Sequence, residues 1–444
     1  MKKTTLGTAA GLGLATLLAV TGCSAGGSND EAGGDTTVTF LTHWGPDQVT
    51  MLEDAAAAFT KENPDVTVDV QAVPFGNLLS TLRTQGASAD GPTITGIYDL
   101  WLPELVRDGL ADAAPDDVAT EVTDNWPSSL VDAASSEGTV YGVPNEVDLY
   151  QLNYNTALFA EAGIDGPPAT WDELLDDAAK LTKSEGGTTT QQGIGFITGW
   201  GSGAVHPFLS LLASNGGTFL NEDGTASALG DDAALETAEL YQKLVDDKLT
   251  DPSKSTANAN TTGPYLDNFA GGKTAMIIMA NWWESAIKDA MGDDYKNVAT
   301  APIPVGPNGT ESSSISYSWM TTVNAKADDD KRDAAWKFLS WLNGPDSGEA
   351  GSSAMADILL SMGILPSRNS DIEVNAAALE TPFLASYVSA LETATPFPTV
   401  IGGQAAADAL QKQIESLLNG QTDAAGAMKT ASDEVDSALE RAQK

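Results

Sequence analysis

From residue 36 the chain alternates short β-rich runs with amphipathic helical stretches, and this alternation restricts the fold more than any other feature. Val38 to Leu41 is a β-rich run. Between Asp47 and Asn63, the residues Val49, Leu52, Ala56 and Phe59 recur with helical period and share one face. Val66 to Val73 alternates as a second strand, Leu78, Leu79 and Leu82 mark a short helix, and Thr93 to Tyr98 forms a third strand. Thr170 and Glu173 make a capping box, in which each side chain satisfies a free N–H at a helix start, and the helix it opens runs to about Thr182. Gly193 to Ile197 and Thr274 to Met279 read as strands, and Pro207 to Asn215 and Asp232 to Lys248 as helices. After residue 328 the pattern is nearly all helical, over 329–343, about 355–362, 376–390, 404–419 and from 423 onward. Strands alternating with helices predict an α/β fold with a mostly parallel sheet covered by helices. The 444 residues exceed one ordinary domain. Two α/β bodies and a helical C-terminal part are expected.

The first residues carry a different signal. Met1-Lys2-Lys3 is basic, and Leu6 to Val20 contains no charge. These are the parts of a secretory signal, and the apolar run is shorter than the about 20 residues a membrane-spanning helix needs. Val20-Thr21-Gly22-Cys23 resembles the lipobox of bacterial lipoproteins, with Val20 in place of the usual Leu. That resemblance implies cleavage before Cys23 and a diacylglyceryl group on its sulfur. Residues 1–22 are then a signal peptide and 23–35 a flexible polar linker. The alternative is an ordinary cysteine near a plain cleavage site. Against it, Cys23 is the only cysteine and stands where a lipobox needs one. The expectation is an exported chain, lipid-anchored on the outer face of the cytoplasmic membrane.

Composition excludes several chemistries. The formal charge of −40 argues against nucleic acid as a partner. The acids are spread along the chain, as for a solvated surface, although a cationic ligand would also suit them. His43 and His206 are the only histidines, and no zinc-binding spacing exists. Asn221-Glu222-Asp223-Gly224 lacks the spacing of a calcium loop and reads as a turn. Gly271-Gly272-Lys273-Thr274 imitates the end of a phosphate-binding loop, but Asp267 stands where its first glycine belongs and a strand follows it. No G-x-S-x-G elbow occurs. No cofactor is expected. Glycoside hydrolysis needs only two placed carboxylates, and among 62 acids it stays open.

What remains is the placement of aromatics. Trp44, Trp101, Trp200, Trp282 and Trp319 lie at or just past the ends of predicted strands or in Gly-rich loops. Ligands of open α/β sheets bind outside the strand ends, and aromatic faces stack on the C–H faces of sugar rings. Core packing is the competing role for each, and it is preferred for the helix-borne Trp171, Trp336 and Trp341.

The stretch from Tyr141 to Asn155, YGVPNEVDLYQLNYN, resembles a signature of the extracellular solute-binding proteins of family 1, the carbohydrate receptors of ABC importers. Agreement continues through Leu158–Ile164 and the following P-P-A-T-W-D-E-L. It returns at Gly272–Met276 leading to Trp282, at Ala335–Leu339, at Gly363–Arg368 and at Leu417–Gly420. The resemblance spans about 36–440. It implies a two-lobed periplasmic-binding-protein-like fold of type II, with discontinuous lobes joined by a hinge: 36–144 with 281–327, and 147–278 with 330–444. Carried over position by position, it implies Asp148 as a hinge carboxylate against sugar hydroxyls and Trp282 as a stacking aromatic. It also implies cleft positions for Trp200 and His206, for Trp44 after the first strand, for Asp99 and Trp101 after the third, and for Phe397 before a C-terminal helix. The competing roles are an internal ion pair for Asp148 and a cap before Pro207 for His206. The implied function is that of a monomeric receptor, not an enzyme. It captures a di- or oligosaccharide between its lobes and delivers it to a membrane permease driven by a separate ATPase. A secreted glycoside hydrolase and a binding protein for a cationic or peptidic solute are the alternatives.

Overall fold

The computed structural model describes residues 36–257, 263–345 and 347–444. Cys23, the leader and the linker lie outside the described residues. The chain begins β1 (Thr36–Thr42), α1 (Pro46–Glu62), β2 (Val66–Ala72), α2 (Phe75–Gln85) and β3 (Ile94–Tyr98). Helices α3 (Leu102–Arg107), α4 (Asp116–Asn125) and α5 (Ser128–Ala133) lead to a small hairpin, β4 (Ser135–Ser136) and β5 (Thr139–Val140). The long β6 (Gly142–Asn155) is followed by α6 (Thr156–Ala162), α7 (Trp171–Leu181), β7 (Lys183–Glu185) and β8 (Thr188–Gly195). Next come α8 (Gly201–Ala213), α9 (Asp232–Asp246), α10 (Pro264–Ala270), β9 (Thr274–Ala280), α11 (Glu284–Met291), β10 (Val298–Ala301) and β11 (Ile315–Val323). Helices α12 (Asp329–Leu342) and α13 (Ala354–Met362) precede β12 (Leu365–Pro366), α14 (Asn369–Val374), α15 (Ala376–Leu379) and α16 (Ala385–Ala390). The chain closes with β13 (Thr395–Pro396), α17 (Gly403–Leu418) and α18 (Ala424–Ala442).

The main sheet runs in the order β2-β1-β3-β11-β6-β9-β8-β7. β1 is parallel to β2 and β3, and β8 is parallel to β9. The centre differs from the mostly parallel sheet expected, because β11 is antiparallel to both β3 and β6, and β6 to β9. β6 and β11 thus run in opposite directions between the two halves. β6 belongs to both halves. Its residues 142–149 pair with β11, and residues 150–155 pair with β9 and β10. Fourteen residues long, it is buried at every position but Tyr154. This is so although it carries Asn145, Glu146, Asp148, Gln151, Asn153 and Asn155.

Helices cover both halves. The stripe Leu52, Ala55, Ala56 and Phe59 of α1 buries against β1 together with Trp336, Phe338 and Leu339 of α12 and Ile358 and Leu359 of α13. The Phe59 and Phe338 rings meet at 5.1 Å. On the other half, α8, α9, α17 and α18 pack through Phe208, Tyr241, Leu410, Ile414 and Val435. Gly193 lets α7 lie directly on β8, since a Cβ there would run into the Ala178 carbonyl.

The capping box forms: Thr170 Oγ1 accepts from Glu173 N at 3.3 Å, and Glu173 Oε2 accepts from Ala169 N at 2.7 Å. The helix expected from Pro207 begins earlier, at Gly201, and holds Pro207 inside. A helical proline forfeits one backbone bond. Here the burial of every residue from Gly203 to Leu212 outweighs that loss. The helix expected over 376–390 is broken between α15 and α16, where Pro382 disfavours helical backbone in the residue before it. Gly271-Gly272-Lys273-Thr274 is the turn from α10 into β9, with Gly272 at φ +69°.

Candidate functional site

Where the two halves of the sheet meet, a cavity of about 460 Å³ opens beside β6. Its wall is aromatic. Trp44 follows β1, Phe75 begins α2, Tyr98 ends β3, Trp200 precedes α8, Trp282 and Trp283 follow β9, and Tyr317 and Trp319 lie on β11. These rings brace one another. His43 lies 4.5 Å from Trp319 between ring centroids, and Trp200 lies 5.6 Å from Trp282. Trp282 Nε1 donates to Tyr317 Oη at 2.8 Å. Trp44, Trp200 and Trp282 remain partly exposed, as rings that receive a ligand must.

The acidic groups of the wall are Glu146 and Asp148, on β6 two residues apart and therefore on the same face of the strand. A β-bulge sets their aim. Pro144 has no N–H for the ladder, and the register with β11 slips there: Glu146 faces Trp319 and Pro144 faces Met320, leaving Asn145 as the extra residue. Asn281 then clamps the strand. Its Oδ1 accepts from Leu149 N at 3.0 Å, and its Nδ2 donates to Asp148 Oδ1 at 3.0 Å. No amide or hydroxyl reaches Asp148 Oδ2. Burial pushes both carboxyls up, and the Asp148 charge pushes Glu146 further. The two carboxyls hydrogen-bond to each other, which raises Glu146 further and holds Asp148 back at about 7. Among the described residues no lysine or arginine lines this cavity.

The remaining expected site residues stand behind the wall. Asp99 is 4% exposed and accepts from Ser318 N at 2.7 Å and Ser318 Oγ at 3.3 Å, which ties the end of β3 to β11. Burial pushes its carboxyl up to about 7. His206, 1% exposed, lies 3.0 Å from Tyr98 Oη through Nε2, and burial pulls it down to about 3, so it is neutral. Trp101 donates to Gln404 Oε1 of α17 at 2.9 Å. Phe397 packs on His206 at 5.0 Å and lines a separate cavity of about 420 Å³ beside Gly217–Gly224. Trp44, Asp148, Trp200, Trp282 and Trp319 thus share one cavity, whereas Asp99, Trp101, His206 and Phe397 support it from outside.

Sequence reasoning did not single out His43, Phe75, Tyr98, Glu146, Trp283 and Tyr317 as site residues. Glu146 had a signal, since it stands two residues from Asp148 on an extended stretch. Tyr98 had one as well, as the last residue of a strand whose neighbours Asp99 and Trp101 were named.

Residues 45–349 match the family model of the bacterial extracellular solute-binding proteins. The chain belongs to that family. It is 26% identical over 422 residues to the diacetylchitobiose binding protein of Streptomyces coelicolor, a match that covers 88% of this chain and 91% of the relative. The fold is shared with the GacH receptor of Streptomyces glaucescens, solved unliganded and in complex with acarbose (TM-score 0.76, 23% identity, 91% of this chain and 98% of that one). It is shared too with the cyclic α-maltosyl-1,6-maltose binding protein of Arthrobacter globiformis (TM-score 0.73, 26% identity, 92% and 100%). The architecture is accordingly the two-lobed periplasmic-binding-protein fold expected from the resemblance. These relatives are binding proteins. No helix among the described residues is long and apolar enough to cross a membrane.

Proposed function

We propose that this protein is the carbohydrate receptor of an ABC importer and captures its sugar in the cavity beside β6. The observation that carries the reading is the pairing of an aromatic wall with Asp148, a buried carboxylate one oxygen of which has no amide or hydroxyl partner. Rings stack on sugar C–H faces, and the carboxyl accepts from a hydroxyl. The sugars named for the relatives make a di- or oligosaccharide the first choice. Residues 36–144 and 281–327, apart from β10 which pairs with the β9 half of β6, form one lobe and 147–278 with the C-terminal helices the other, α12 and α13 travelling with β1 and α1, on which they pack. Ligand binding shifts the lobes to a closed form, which docks on a permease served by a separate ATPase. The protein acts as a monomer, exported and held at the membrane by a lipid on Cys23.

It binds without turning its ligand over. Glu146 and Asp148 sit side by side on one strand and hydrogen-bond to each other, whereas a glycosidase places two carboxyls about 5–10 Å apart on opposite sides of the scissile bond. Titration calorimetry and tryptophan fluorescence against maltooligosaccharides, cello-oligosaccharides and chito-oligosaccharides test the reading. Saturable binding to one of these sugars is expected. Absence of any response overturns the carbohydrate assignment, and release of reducing sugar by the pure protein overturns the receptor role. Cys23→Ala should leave binding intact and free the protein from the cell.

A further inference from the structure

Strand β6 changes partners on both edges at one place. Along one edge it pairs with β11 as far as Leu149 and with β10 from Leu152. Along the other it pairs with β12 at Glu146 and Val147 and with β9 from Tyr150. At this crossing the N–H groups of Leu149 and Tyr150 go to side chains. Asn281, the residue after β9, accepts from Leu149 N at 3.0 Å through Oδ1. Ser314, the residue before β11, accepts from Tyr150 N at 2.9 Å and donates to Tyr150 O at 2.7 Å. Both side chains are buried. A ladder bond is held in register by its neighbours, whereas a side-chain bond follows the backbone by turning about its own χ angles. The strand can therefore bend at 149–150 without parting a ladder, and a closing motion needs a few residues that absorb such a change.

Asn281 has a second duty. A backbone N–H only donates, so Oδ1 must face Leu149, and this leaves Nδ2 for other acceptors. Nδ2 donates to Asp148 Oδ1 at 3.0 Å and lies 3.4 Å from Gly363 O, just past α13. One amide thus holds both the carboxyl that lines the cavity and the N–H at the crossing. Asn281 is not itself among the cavity-lining residues, whereas Asp148 is. The Ser314 hydroxyl has no such link, since its partners are the backbone groups of Tyr150 and Ile315 O.

We propose that Asn281 is a positioning residue that couples the Asp148 carboxyl to the Leu149–Tyr150 crossing, so that a hydroxyl drawn to Asp148 is felt where the strand bends. The proposal rests on the receptor reading and names the side chain through which ligand contact reaches the join between the halves. Asn281 acts through Asp148, and Ser314 steadies the same crossing from the opposite edge without touching the site.

The first test needs no sugar. Amide hydrogen exchange of the unliganded protein is followed by NMR at Leu149, at Tyr150 and at Phe40 in the β1 ladder. Asp148→Ala should speed exchange at Leu149 about fivefold or more, because Asn281 loses an anchor, and leave Phe40 unchanged. Ser314→Ala should speed Tyr150 and leave Leu149 as in wild type. An unchanged Leu149 in Asp148→Ala overturns the coupling. Equal acceleration at all three amides does so too, since that is a loss of global stability. The second test is a double-mutant cycle read by calorimetry with maltotriose, cellotriose and triacetylchitotriose. Asn281→Asp keeps an acceptor for Leu149 N–H and loses the donor to Asp148. It and Asp148→Ala should each weaken the trisaccharide that binds about tenfold, and the double variant should be at most about threefold weaker than Asp148→Ala alone. Additive losses overturn the proposal. If none of the three sugars binds, the carbohydrate reading fails and the exchange result alone decides the role of Asn281, as it does if Asn281→Asp does not fold.

Discussion

Asp148 and Asp99 are both buried acids, yet the structure gives them different work. Asp148 faces the cavity with one oxygen tied to Asn281 and one without an amide or hydroxyl partner. Replacing it with Ala removes a charge-assisted acceptor, a contact of about 1.5–3 kcal/mol. Affinity for the bound sugar should fall about ten- to hundredfold by calorimetry, with the melting temperature little changed, and unchanged affinity would take Asp148 out of the site. Asp99 instead pins β11 through Ser318. Burial pushes its carboxyl from 3.8 up to about 7, so between those values the folded chain binds more protons than the unfolded one. The stability this protonation contributes is therefore present at low pH and is lost as pH rises toward about 7. His43 and His206 carry the opposite sign. Burial pulls them down to about 4 and about 3, so their share is present above about pH 6.5 and lost as pH falls. In Asp99→Asn the histidine contribution is unchanged, so the melting temperature of the variant relative to wild type should rise as pH goes from 5 to about 7 and hold a constant offset above that. Parallel curves would mean that Asp99 ionises freely in the fold. Asp148 was legible in the sequence because its motif carries it. The supporting positions of His206, Trp101 and Phe397 were not, because a residue near a cleft reads the same whether it lines the wall or stands behind it. Only packing against Tyr98, Gln404 and Gly217–Gly224 separates the two cases.

At the scale of elements, legibility followed periodicity. α1, β2 and α7 have one apolar face and one wet face, so period and end signals located them. β6 hides its character. It is covered on both faces, but half its buried residues are polar, because it is at once the join between halves and the floor of the site. β11 is similarly silent, with Ser, Tyr and Thr buried along its length. The antiparallel centre of the sheet could not be read from α/β alternation, which reports local order and not which distant strands meet. Where an element announced itself by a local device, the device can be tested. Thr170→Ala removes the side-chain acceptor at the start of α7, and loss of such a cap costs about 1 kcal/mol. A denaturant midpoint lowered accordingly, with the slope unchanged, is the expected result. A changed slope would mean that α7 no longer forms or that unfolding is not two-state.

For the whole molecule the dominant fact is charge. Acids outnumber Lys and Arg by 62 to 22, and pairing does little to offset this: the ion pairs of Lys243 with Asp247 and Lys429 with Asp433 are solvent-exposed i,i+4 contacts of small individual worth. The surplus acids repel one another across the surface, and such repulsion destabilises the compact state. Salt weakens it over a screening length of about 10 Å at 0.1 M and about 3 Å at 1 M. Raising NaCl from 0.05 to 1 M should therefore raise the melting temperature. The cavity beside β6 should respond differently, because its acid pair is buried among rings. Affinity for a neutral sugar should change less than twofold over the same range. A melting temperature independent of salt would mean that the surface acids are neutralised by bound counter-ions at low salt. A neutral-sugar affinity that tracks salt would mean that the site is open to the surface field and not shielded by its aromatic wall.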